Sequence, residues 1–219
     1  MKTLIFFVIL LFCVNSLQAQ EPAFGNWFVY LGNKQFNEQW NWEQSVQYRN
    51  FNFIGDLHQL LVRNGIGYNL TEDNNNISLG YDYILDQQYD ALGDKSIENN
   101  EHRIYQQFIT KQRFGRFYLK HRYRFEERFI NSAFKFRFRY ALFFNIPINH
   151  KDFENNTWYV SAYNELFLTN TNNRFDQNWL YGGLGYKINK TLSMELGYMN
   201  QSFVGNNRDQ LNILTKLNF

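Results

Sequence analysis

The chain has little of what staples, kinks or interrupts folds. Its 219 residues include one cysteine, Cys13, and only 2 prolines. A lone cysteine excludes an internal disulfide framework and the paired-cysteine zinc sites. The histidines His58, His102, His121 and His150 show no His-x-x-x-His spacing, so no metal site and no cofactor is expected. No glycine-rich phosphate loop is present, and the glycines Gly182, Gly183 and Gly185 read as mid-strand positions that admit a bulky neighbour or a bend. The net charge of +2 gives no one-sided field to draw nucleic acid. Amphipathic helical periodicity is missing over any useful length. No apolar run after the first residues is long enough for a transmembrane helix.

The first residues are a separate case. Met1-Lys2, the apolar run Leu4 to Val14 and the small-residue stretch ending at Ala19 predict a secretory signal peptide over residues 1–19, cleaved between Ala19 and Gln20. Cys13 is then discarded with it, and residues 20–219 form a single exported domain.

What the chain has in abundance is aromatic. Phe, Trp and Tyr make up 20% of it, with 23 Phe, 15 Tyr and 5 Trp, a mix that favours strands. The clearest pattern runs from Arg116 to Phe144. Phe117, Leu119, His121, Tyr123 and Phe125 alternate with Tyr118, Lys120, Arg122, Arg124 and Glu126. After a break at Asn131-Ser132, Phe134, Phe136, Phe138, Tyr140 and Leu142 alternate with Lys135, Arg137 and Arg139. Period-two alternation puts an aromatic face and a charged face on each strand. Basic residues interleaved with aromatics could suggest RNA binding, but here the two kinds fall on opposite faces.

The same alternation recurs from end to end, separated by Asn, Gly and Asp turns. Strand candidates begin at Asn26, Trp40, Leu57, Ile77, Glu101, Phe117, Phe134, Trp158, Leu180, Leu192 and Leu211. Gln87 to Asn100 reads as the longest polar loop, on one rim, and Pro147 to Asn156 as a second connection. Gly115 and Asn189-Lys190 read as short turns on the other rim. Many of the strands are roughly 10 to 14 residues long, about what a tilted strand needs to cross a bilayer. The expected fold is all-β: an antiparallel, up-and-down transmembrane β-barrel. The pattern gives eleven strands, whereas a bacterial single-chain barrel has an even number. The first candidate then lies outside, leaving ten, or Pro147 to Asn156 hides a twelfth. In the competing arrangement, a soluble lipocalin-like barrel, the aromatic face is the interior. Export, strand length, the terminal aromatic Phe219 and the charged faces favour outer-membrane lipid as the surroundings. Phe219 is the expected assembly signal, read by the barrel-assembly machinery through the last strand.

With aromatics turned to lipid, the charges share a lumen. The expected network is Glu43, Arg63, Asp82, Lys120, Arg122, Arg124, Glu126, Lys135, Arg137, Arg139, Glu165 and Glu195. Lys120, Arg122 and Arg124 are expected beside Lys135, Arg137 and Arg139, with carboxylates from other strands relieving the like-charge contacts. Such a lumen is a structural salt-bridge network or a narrow, anion-selective channel. A lipid-modifying barrel enzyme is the alternative. It needs a nucleophile beside one of the histidines, and no spacing identifies one, so no catalytic residue is assigned.

Tyr48-Arg49, Arg122 to Arg128, Asn164 to Phe167, Phe175 to Asn178, Gly182 to Tyr186 and Glu195 to Met199 together resemble the DUF2490 family of uncharacterised, exported Bacteroidetes-type proteins. The resemblance covers nearly all of residues 20–219. It implies an outer-membrane barrel and brings no activity, ligand or catalytic residue with it. Trp179 departs from the family pattern, which leads one to expect arginine after Phe-Asp-Gln-Asn.

Overall fold

The computed structural model describes residues 24–71, 74–89, 95–171 and 173–219. The signal peptide, its cleavage site and Cys13 lie outside the described residues. The chain forms β1 (Phe24–Gln35), β2 (Trp40–Asn50), β3 (Leu57–Asn69), β4 (Asn75–Tyr89), β5 (Lys95–Phe114) and β6 (Phe117–Ile130). Then come β7 (Ala133–Pro147), β8 (Thr157–Thr169), β9 (Phe175–Lys187), β10 (Leu192–Phe203) and β11 (Asn206–Asn218). Each strand pairs with its sequence neighbours, and β1 closes on β11 to complete the barrel.

The eleven alternating segments are therefore eleven strands, and the even count expected from bacterial barrels does not hold. β1 lies in the wall, and residues 148–156 contain no strand. The seam shows the physical consequence. In an up-and-down barrel of odd count the first and last strands run the same way, so closure must be parallel. β1 and β11 pair in parallel from Phe24↔Asp209 to Asn33↔Asn218. All other pairs are antiparallel. Phe219 ties the seam down: its N–H donates to Asn33 O at 3.0 Å and its carbonyl accepts from Gln35 N at 2.8 Å.

An odd count also puts the two barrel ends of the chain on opposite rims. The upper rim carries the start of β1 and the connections after β2, β4, β6, β8 and β10. The lower rim carries the other connections and Phe219. The turns at Gly115 and Asn189-Lys190 share the lower rim, as expected. Gly115, with φ 59, is the first central residue of a two-residue hairpin turn, a position that favours glycine. The long polar loop from Gln87 to Asn100 is not one: β4 runs to Tyr89 and β5 starts at Lys95, pairing through Gln87↔Glu98. Polar side chains there disguised two strand ends that extend past the apolar band.

Burial is inverted relative to a water-soluble sandwich. Leu79, Leu180 and Leu196 are 59%, 61% and 55% exposed, while Glu126 and Asp82 are fully buried. Phe125, Phe129, Phe134 and Phe138 of the β6–β7 hairpin all face out. Its rings stack in cross-strand pairs, Phe125 on Phe136 at 5.3 Å and Phe129 on Phe134 at 4.9 Å. The aromatic face is the outer face of the barrel.

Candidate functional site: the charged lumen

The inward positions build a network centred on Glu126 and Glu165. Glu126 of β6 accepts Arg137 Nη2 at 2.6 Å and Arg139 Nη1 at 2.8 Å, both from β7, with Arg124 at 3.9 Å. Glu165 of β8 accepts Arg139 Nη2 and Arg122 Nη2 at 2.8 and 2.7 Å. Arg139 thus bridges the two carboxylates. Arg63 and Asp82 on β3 and β4 form a bidentate pair at 2.7 and 2.6 Å. Fork-to-carboxylate geometry of this kind is what makes a buried charge tolerable.

The expected arrangement needs correction in several places. Register puts Arg124 opposite Arg139, but Arg122 opposite Ala141 and Lys120 opposite Phe143. Lys120 lies over the Phe143 ring at 4.1 Å. Lys135 is exposed near the upper rim and, among the described residues, joins no ion pair. Glu195 does not reach the arginines: it accepts Tyr181 Oη at 2.7 Å, Tyr159 Oη at 3.1 Å and Lys216 Nζ at 2.5 Å. Among the described residues, Glu43 accepts only the Gln107 amide, at 3.3 Å. That amide in turn receives Arg124 at 2.9 Å through its oxygen. The relieving carboxylates come from the same strand or from one or two strands away rather than from across the lumen, as in Arg103–Glu101, Arg137–Glu126 and Arg122–Glu165, since a side chain reaches its near neighbours before it reaches the opposite wall.

Sequence reasoning missed Glu101, which accepts Arg103 Nε at 2.5 Å and Arg128 Nη2 at 3.0 Å. Its parity with Arg103 would have placed it inward. It also missed an asparagine chain at the lower rim. Asn76 donates to Asn41 at 2.9 Å and to Asn69 at 2.8 Å, and Asn41 donates to Asn33 at 2.8 Å.

Three tyrosines lie flat on the inner wall over glycines. A Cβ at Gly80 would come within 2.3 Å of Tyr105, one at Gly185 within 2.1 Å of Tyr159, and one at Gly197 within 2.2 Å of Tyr181. Gly183 likewise makes room for Tyr181, whereas Gly182 faces open space. The glycines let large rings fill the interior at native density.

The filling is uneven. In the lower half the inward Asn41, Asn76, Ser78, Gln107, Tyr159 and Glu195 are all buried, with Asn76 bonded to Asn41, Gln107 to Ser78 and Tyr159 to Glu195. Above them is a cavity of about 1830 Å³ that reaches the upper rim at Asp56, Asn206 and Arg208 and goes down to Leu31, Phe143 and Tyr163. One wall is charged, with Arg63, Arg103, Arg122, Arg137, Arg139, Glu101 and Glu165. The other is apolar, with Trp27, Val29, Leu31, Phe167, Trp179 and Leu214. Trp179, at the position where arginine was expected, packs on Trp27 at 5.2 Å and Phe167 at 4.6 Å and extends that apolar wall.

The histidines do not gather. His102 and His121 face out and bond Tyr81 Oη at 2.5 Å and Tyr140 Oη at 2.9 Å. His150 bonds Thr157 Oγ1 in the loop after β7, and His58 lies 3.8 Å from Asp86. Among the described residues no three His, Cys, Asp or Glu side chains cluster as metal ligands.

A closed eleven-stranded β-barrel with an arginine-rich interior defines the structural class. Within it, the chain belongs to the family described as "Protein of unknown function (DUF2490)", matched over residues 24–212. No curated protein matches it. No solved structure matches it.

Proposed function

We propose that the chain is an outer-membrane barrel that holds its outer face against acyl chains and its ion-paired residues in a lumen filled in its lower half, a structural barrel rather than a wide pore. The observation that carries this reading is the inverted burial: large apolar side chains ring the outside while Glu126, Asp82, Arg137 and Arg139 are buried within. Soluble monomers rarely expose apolar patches beyond a few hundred Å². Each exposed ring would cost about 25 cal/mol per Å² in water, a penalty that lipid removes. The strands are 11 to 20 residues long, against about 9–11 needed to cross a bilayer.

Phe219 then marks the periplasmic rim, where the last strand engages the assembly machinery, and the cavity mouth faces the cell exterior. Fractionation of expressing cells tests the reading. The mature chain should stay with outer membranes through an alkaline carbonate wash and enter solution only with detergent; recovery in the aqueous fraction would overturn it. In planar bilayers the filled lower lumen predicts a nearly silent trace. Any residual conductance past the arginines should favour anions and lose that bias on Arg122→Glu. Large ohmic steps would contradict the filled lumen.

A further inference from the structure

Among the described residues, Arg49 is a buried charge that the ion-pair network leaves out. It is 8% exposed and lines the cavity. Its Nε and Nη2 donate to Gln47 Oε1 at 3.2 and 2.5 Å, and its Nη1 donates to Gln59 Oε1 at 2.6 Å. Both partners are neutral amides, and among the described residues no carboxylate lies within ion-pairing distance of this guanidinium. Part of its donor fork is unused. A guanidinium taken out of water without a counter-charge is costly, so proteins rarely keep one without a use for it.

Its surroundings are specific. The guanidinium lies 3.8 Å from the Trp27 ring and 5.6 Å from that of Trp179. Among the described residues, Trp27 Nε1 is buried with no acceptor, and Asn212 Oδ1 is buried with no donor. Arg49, Trp27 and Asn212 are consecutive partners across β2, β1 and β11, so all three sit side by side at the seam. From there Val29, Leu31 and Leu214 continue the apolar wall into the cavity.

We infer that the cavity binds an amphiphilic carboxylate, with its head against the Arg49 guanidinium, beside Trp27 Nε1, and its apolar body along Val29, Leu31 and Leu214. One unpaired cation and one indole N–H suit a singly charged, two-oxygen head. The volume exceeds the roughly 300–1,000 Å³ of ordinary ligand pockets and leaves room for a medium-length chain. The inference rests on the closed barrel alone and is independent of what surrounds it.

The test is a titration of the full mature chain, folded in non-ionic detergent, with octanoate and with octanol, read by tryptophan fluorescence and by calorimetry. Octanoate should bind saturably, and octanol about 10- to 100-fold more weakly, the usual worth of a hydrogen bond to a charged group. Arg49→Gln should weaken octanoate by a similar factor and leave octanol unchanged. Arg113→Gln, in a surface ion pair with Asp152 away from the cavity, should change neither. If Arg49→Gln does not fold, Trp27→Phe keeps the ring, removes the N–H and should still weaken octanoate several-fold. Non-saturable octanoate, equal binding of octanol, or full affinity in either cavity variant would overturn the inference. A membrane-embedded barrel that fails this titration leaves the outer-membrane reading standing. A water-soluble barrel that passes it does the reverse.

Discussion

Glu126 is the residue on which most of the interior charge depends. It is fully buried and receives Arg137 and Arg139 together. Replacing it by glutamine keeps the shape and takes one of two carboxylates from each guanidinium, leaving Arg139 with Glu165 at 2.8 Å and Arg137 with Asp176 at 3.3 Å. Removing one partner of a buried ion pair typically costs about 3–5 kcal/mol. Glu126→Gln should therefore lower the urea midpoint of the barrel, read by the gel shift between folded and unfolded forms. Glu126→Gln combined with Arg137→Gln should cost less than the two single changes added together, since contacting residues couple. Additive losses would mean the pair is not formed. A second residue-scale expectation concerns the inner tyrosines. Gly185→Ala drives a Cβ into the Tyr159 ring, which should cost about 1–3 kcal/mol, whereas Gly182→Ala, with no atom within 4 Å, should be tolerated. Equal effects in the same unfolding assay would contradict the ring-on-glycine packing.

At the scale of the element, the parallel seam is the feature to test. Tyr30 pairs with Thr215 across it. The described chain has no cysteine, so Tyr30→Cys with Thr215→Cys gives a clean crosslink. Oxidation should join this pair efficiently and Tyr30→Cys with Leu217→Cys poorly; the opposite preference would mean a shifted register or a different closure. The seam also shows why strand identity was more legible than strand arrangement. Alternation is local, and it revealed which face of the β6–β7 hairpin carries Phe125 and which carries Arg124. Closure is global: nothing in the order of Trp27, Val29 and Leu31 says that β11 runs beside them in the same direction. The even-count expectation came from other barrels and not from this chain. The Gln87 to Asn100 error has a local cause. Outside the apolar band both strand faces are polar, so Gln87, Gln88 and Glu98 lose the period-two signal while keeping the ladder. The lumen residues were legible as a set by parity, but their partners were not. That Glu165 meets both Arg139 and Arg122 depends on register, and Glu195 turned to Tyr159 and Tyr181 because those rings lie over glycines beside it.

For the whole molecule, the two rims give a prediction about sidedness. Ser132 sits in the upper-rim turn after β6 and Lys190 in the lower-rim turn after β9, and both are exposed. With Phe219 at the periplasmic rim, Ser132→Cys should react with a membrane-impermeant maleimide on intact cells, and Lys190→Cys only after the outer membrane is opened. The reverse pattern would turn the barrel over and point the cavity into the periplasm.

The central claim is the assignment of sides, aromatics to acyl chains and charges to the lumen, and the tryptophans test it most directly. Trp158 faces out, 46% exposed, whereas Trp27 is 3% exposed inside the barrel. The measurement is fluorescence quenching of single-tryptophan variants reconstituted in lipids with brominated chains. The account predicts strong quenching of a chain that keeps only Trp158 and little quenching of one that keeps only Trp27. Equal quenching of the two, or none for Trp158, would contradict it.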